Sequence, residues 1–89
     1  MGKIEQFILK QIKEEKYVLT AHARIRMNER LLTDADIINV AKTTTSITKQ
    51  ENNVTFLLDG SSTWGESISL SVAVRKDIII VTIFYKDSL

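Results

Sequence analysis

The chain has 89 residues, 44% hydrophobic and 26% charged, with three glycines, no proline and no cysteine. This length gives one domain, residues 1–89, with a modest core, and the lack of cysteine excludes a disulfide framework and thiolate chemistry. A net charge of +1, from 12 basic against 11 acidic residues, argues against a strong non-specific nucleic-acid binder, which needs a clearly basic face.

The N-terminal stretch Met1–Gln6 mixes charge with apolar residues and is no signal peptide, and Gln6 spoils a myristoylation pattern. The longest apolar run, Ile78 to Tyr85, is too short to span a bilayer. We therefore expect a cytoplasmic protein with no membrane association. Residues 1–43 carry eight basic and six acidic side chains (+2), residues 44–89 four and five (−1). An anion site is accordingly expected on the N-terminal half.

Ile4, Phe7, Ile8 and Ile12 recur at helical spacing, which predicts an amphipathic helix over about 3–15 that covers a sheet. Tyr17-Val18-Leu19 reads as a short extended link. Thr20 can accept a hydrogen bond from the free amides of the next turn, so it caps a second helix running to about Arg30. Ala23 and Met27 face inward on it, Met27 as core filler. Thr33 to Asp36 reads as a capping-box variant, with Leu32 and Ile37 as a hydrophobic staple. A third helix follows over about 34–42, with Ile37, Ile38, Val40 and Ala41 on the buried side.

The character then changes. Thr43–Thr48 is rich in β-branched residues, and Glu51-Asn52-Asn53 reads as a turn before a strand over 54–58. Residues 59–66 read as a polar loop. Ile68, Leu70, Val72 and Val74 alternate with Ser67, Ser69, Ser71 and Ala73, the pattern of a half-buried strand. Arg75-Lys76-Asp77 then turns the chain into Ile78–Tyr85, which is apolar on both faces and is placed centrally, with the helices over one face. The expected fold is α+β: two or three N-terminal helices on a four-stranded antiparallel sheet.

The second helix carries the chemistry. It holds the only histidine and three of the four arginines. His22, Arg26 and Arg30 fall at i, i+4 and i+8, one stripe with about 6 Å of rise between members and a drift of roughly 40°. Two arginines one turn apart repel unless an anion lies beside them. A neutral imidazole near a positive helix end can take a proton. The stripe thus suits a phosphodiester. The structural alternative pairs Arg26 with Glu29 and Arg30 with Asp34, and leaves His22 to cap or pack. Metal binding is not expected, with one histidine and no carboxylate pair beside it, and no cofactor is expected in the absence of a glycine-rich phosphate loop.

The pattern Thr20-x-His22-Ala23-x-x-Arg26-Met27-x-x-Arg30-x-Leu32, followed by Asp36-Ile37, resembles the signature of a family of small bacterial and phage proteins catalogued as a domain of unknown function. That family is grouped with RelE/ParE-like toxins of the barnase–EndoU–colicin–RelE class of RNases. The match is close over residues 17–38 and loose over the later strands, ending in Val81-Thr82-x-Phe84-Tyr85. Members commonly carry Gly where Leu31 stands. The resemblance implies a RelE-like fold, an RNase-like or toxin-like activity and a cognate antitoxin or other protein partner.

Metal-independent RNA cleavage needs a base for the ribose 2′ proton, donors for the phosphate and an acid for the leaving oxygen. His22 is the candidate base or acid, and Arg26 and Arg30 are bidentate phosphate donors. Tyr85 is a candidate partner for the acid role, supported only by the resemblance; as a plain strand-end aromatic it has no such role. Arg24, Lys86 and Trp64 are candidate RNA contacts, the Trp by stacking a base or else by folding back over the sheet edge. The competing reading is a non-catalytic module that binds a protein or nucleic acid, or a homodimer formed through a sheet edge.

Overall fold

The computed structural model describes residues 2–51 and 55–86. Among them the order is α1 (Lys3–Lys13), β1 (Tyr17–Leu19), α2 (Ala21–Glu29), α3 (Asp34–Thr43), β2 (Ser46–Lys49), β3 (Thr55–Ser61), β4 (Ser67–Val74) and β5 (Ile78–Tyr85). The expected α+β class is present, but the sheet is mixed and five-stranded, in the order β1-β5-β4-β3-β2. Tyr17-Val18-Leu19 is therefore a strand and not a link. It pairs in parallel with β5, Tyr17 opposite Ile78 and Leu19 opposite Ile80. The four antiparallel strands expected from the pattern are β2 to β5. The turn expected at 51–53 and the start of its strand lie largely outside the described residues.

Leu58, Ile68, Leu70, Val72, Ile78, Ile80 and Ile83 turn to one side of the sheet and join Ile8, Ile12, Ala23, Met27, Leu32, Ile37, Val40 and Ala41 of the helical layer in one core. β5 keeps its apolar side inward through an irregularity: Ser71 pairs with Thr82 but Val72 with Ile80, so Val81 has no partner in β4. That extra residue is a bulge, and it resets the alternation so that both Ile80 and Ile83 face the helices. β5 is interior, between β1 and β4, as its two apolar faces require.

Each of the three helix starts has a different local basis. Thr20 accepts from the Ala23 N–H at 3.0 Å and donates to Val81 O at 2.7 Å, so the same hydroxyl caps α2 and ties it to the bulge. At α3, the carboxylate of Asp36 accepts from the Thr33 N–H at 2.9 Å, the reciprocal half of a capping box. Leu32 and Ile37, the expected staple, are both buried. α1 starts at Gly2 with no side-chain cap.

Both α1 and α2 end in Schellman turns. After α2, the Leu32 N–H bonds Met27 O at 2.9 Å and the Leu31 N–H bonds Asn28 O at 3.4 Å. The motif demands a left-handed residue, and Leu31 takes it at φ 56° with its side chain 86% exposed. A leucine there gains no packing and bears the steric penalty that glycine avoids. Leu31→Gly is expected to raise stability by about 1 kcal/mol, read as a higher midpoint in urea with an unchanged slope.

β3 extends to Ser61, so Asp59 and Gly60 belong to a strand where the sequence suggested a loop. The true connection to β4 is short and tightly bonded. The Ser62 hydroxyl accepts from the N–H groups of Trp64 and Glu66, the Ser62 N–H bonds Glu66 O, and Gly65 takes φ 83°.

Candidate functional site

The site is built on α2 and the end of β5, which pack together. Ala23 and Met27 are the buried contacts of the helix. The stripe His22–Arg26–Arg30 flanks them on one side, which leaves all three residues at the surface. His22 is exposed and makes no hydrogen bond or ion pair among the described residues. Arg26 meets Glu29 at 3.3 Å in an exposed i, i+3 pair. Such a pair holds a side chain by less than about 1 kcal/mol, so an anionic ligand can displace it.

Arg30 is the member with a contact from another element of the fold. Its guanidinium lies over the Tyr85 ring, 5.7 Å from the centroid, and the Tyr85 hydroxyl donates to Arg30 O at 3.2 Å. The second bond caps one of the free carbonyls at the end of α2. The first leaves the guanidinium edge open while the ring supports its face. Asp34, the partner suggested for Arg30 by sequence proximity, instead accepts the Tyr17 hydroxyl. Burial, reinforced by that carboxylate, pushes the Tyr17 phenol well above its ordinary value. Of the structural alternative, the Arg26–Glu29 pair is present, whereas Arg30 meets no carboxylate and His22 caps no donor among the described residues.

The other candidates are placed elsewhere. Arg24 is two residues from both His22 and Arg26, hence about 200° around the helix from each, and it lines clefts with Leu19 on the opposite flank. Lys86 approaches Asp59 at 3.7 Å, and Asp59 in turn accepts from Ser69 at 2.6 Å. These residues lie on the sheet face away from the helices, so Lys86 and Tyr85, though adjacent, point to opposite sides. Trp64 does not fold back over the sheet edge: it is 85% exposed at the tip of the β3–β4 connection.

The chain matches no family model, no curated protein and no solved structure.

The feature that sequence reasoning missed is Asp36. Only 2% exposed, it accepts from the N–H and hydroxyl of Thr63, both at 2.8 Å, as well as from Thr33. Burial alone would raise its carboxyl; the two N–H and two hydroxyl donors more than offset that and hold it below the usual value. Asp36 thus clamps the Trp64-bearing connection to the start of α3. The sequence showed the local half of this clamp, through Thr33, and nothing of the half 27 residues away.

Proposed function

We propose that the protein engages RNA through the His22–Arg26–Arg30 stripe, with phosphate held by Arg26 and Arg30 and with His22 as the proton-transferring group. The observation that carries this reading is the Arg30–Tyr85 stack, which holds one arginine ready at the end of a stripe whose other arginine is only weakly paired and whose histidine is unpartnered. In a cleavage step the imidazole accepts the 2′-hydroxyl proton as that oxygen attacks phosphorus to form a 2′,3′-cyclic phosphate, and the bond to the 5′ oxygen breaks, that oxygen taking its proton from water. Arginine suits the phosphate because its planar fork donates two bonds at once. The motif's resemblance to toxin-like RNases supports the same reading. A RelE-like fold, a cytoplasmic location and a cognate antitoxin that masks the strip belong to it.

A second reading, binding without cleavage, is favoured by one observation. Among the described residues no group orients the His22 ring, and the Tyr85 hydroxyl is already donating to a carbonyl, so these residues place no second proton-transfer group on the strip for the leaving oxygen.

Incubation of a labelled single-stranded RNA with wild type, His22→Ala and Arg26→Ala separates the two. We expect Arg26→Ala to weaken binding about tenfold and to lower the salt dependence. His22→Ala is expected to abolish cleavage with binding changed less than about threefold. Binding without cleavage by wild type selects the second reading. Failure of the folded wild type to bind RNA at low salt sinks both.

A further inference from the structure

β1 is an edge strand, and the hydrogen bonds it makes fix those it can still make. Leu19 is in register with Ile80, and the Thr20 N–H bonds Ile80 O at 3.2 Å. In a parallel ladder alternate residues bond the neighbouring strand, so Val18 faces β5 while Tyr17 and Leu19 turn their N–H and C=O outward. Among the described residues neither makes an outward backbone bond. The strand is apolar, and Val18 is 49% exposed on the helix-free face. The opposite edge, β2, is guarded differently: it reads Ser46-Ile47-Thr48-Lys49, with all but Ile47 exposed, and edge lysine is a common block to pairing.

The charges beside β1 are also unpaired and of opposite sign. Glu15, held at φ 60° by the turn that ends α1, and Arg24 of α2 line the same cleft of about 420 Å³ along Tyr17, Val18 and Leu19, together with Asp34, whose carboxylate accepts the Tyr17 hydroxyl. Neither Glu15 nor Arg24 forms an ion pair or side-chain hydrogen bond among the described residues.

We propose that the β1 edge is a self-association surface whose occupant is the β1 edge of a second copy of this chain, antiparallel about a two-fold axis at Val18. That axis sets Tyr17 opposite Leu19 of the second copy, and Leu19 opposite its Tyr17. Both are hydrogen-bonded pairs, so each exchanges two bonds and every outward group of the two strands is satisfied. Val18 meets its own copy at the close, non-hydrogen-bonded position, where side chains touch most directly. Glu15 falls opposite the first residue of the other α2, one turn from Arg24 of that copy. An isologous contact requires each patch to complement itself, and this edge does so in backbone, apolar contact and charge together. A foreign strand would need to supply the complementary acid and base itself. The inference is independent of RNA engagement, since Arg24 and the His22 stripe lie on opposite flanks of α2.

Sedimentation velocity of the full chain over a range of concentrations tests it. We expect a reversible monomer–dimer equilibrium. Val18→Lys places two ammonium groups across the axis and should raise the dissociation constant at least ~10-fold, with the circular dichroism of the wild type retained. Arg24→Glu should weaken the dimer several-fold, and Glu15→Arg combined with Arg24→Glu should restore it to within about threefold. A wild type that stays monomeric to about 1 mM, a range that covers weak complexes, overturns the proposal. So does a dimer that ignores both Val18→Lys and the charge reversal.

Discussion

Asp36→Ala is expected to cost about 3 kcal/mol, because the substitution removes four hydrogen bonds to a carboxylate, from the N–H groups and hydroxyls of Thr33 and Thr63, that cap α3 and tie it to the β3–β4 connection. For a domain of this size that corresponds to a fall of roughly 12–24 °C in Tm. The carboxylate is 2% exposed, whereas Thr33 and Thr63 are exposed, so water offsets part of the loss on the donor side but does not rebuild the link between the two segments. Asp36→Asn should cost less, about 1–2 kcal/mol. The amide oxygen can serve one of the two donor pairs, whereas its NH2 then meets the other.

The pH dependence follows from the direction of the shift. Asp36 titrates lower in the folded protein than an ordinary aspartate does. Its contribution is therefore complete above the unfolded pKa and is lost as pH falls through the folded one. Wild type should lose stability on acidification below about pH 4, and the Asn variant should lack this part of the slope. Thermal melts at several pH values check it. The single tryptophan adds a local readout: release of the Thr63 clamp should lower the fluorescence anisotropy of Trp64 under conditions where the rest of the protein is still folded.

The parts of the fold that were legible in the sequence are those fixed within one helical turn. Thr20 as the cap of α2, Asp36 reaching back to Thr33, and the inward Ala23 and Met27 all depend on spacings of three or four residues. The missed features depend on distant partners. β1 is too short to show alternation, and what makes it a strand is Ile78 to Ile80, some sixty residues on. The stripe on α2 was legible because a helix has a fixed pitch. The supports of its members were not: Tyr85 reaches Arg30 across 55 residues, and Asp34 is drawn from Arg30 to Tyr17 by the position of β1. The same pitch separates Arg24 from the stripe, since a spacing of two puts side chains on opposite flanks.

Gly60 was misread for a related reason, and it gives the other large expected effect. Its place in the polar run 59–66 suggested a loop, yet Gly60 is inside β3, paired with Ile68. Its role is to let α3 approach. A Cβ at this position would lie 2.8 Å from Val40 O and 3.0 Å from both Val40 Cα and Cγ1. Two of those atoms are backbone, so the helix and strand must move apart to admit a methyl group.

Around this contact the two elements are already latched: Asn39 Nδ2 donates to Ser61 O at 2.9 Å and to Ser62 O at 3.0 Å, and the Ser61 N–H donates to the Thr43 hydroxyl at 2.9 Å. Separation strains these bonds as well as the core at Val40, so Gly60→Ala is expected to cost about 3 kcal/mol, measured by urea unfolding. Val40→Ala separates backbone contact from side-chain contact. If the clash were with Cγ1, the double variant would be more stable than the sum of the singles predicts by most of that cost. Because the shortest contact is to the carbonyl oxygen, we expect recovery of less than half of it. The latch also ends at Ser62, where the Trp64 turn begins. The same displacement should therefore speed amide exchange at Trp64 and Glu66, whose N–H groups the Ser62 hydroxyl holds.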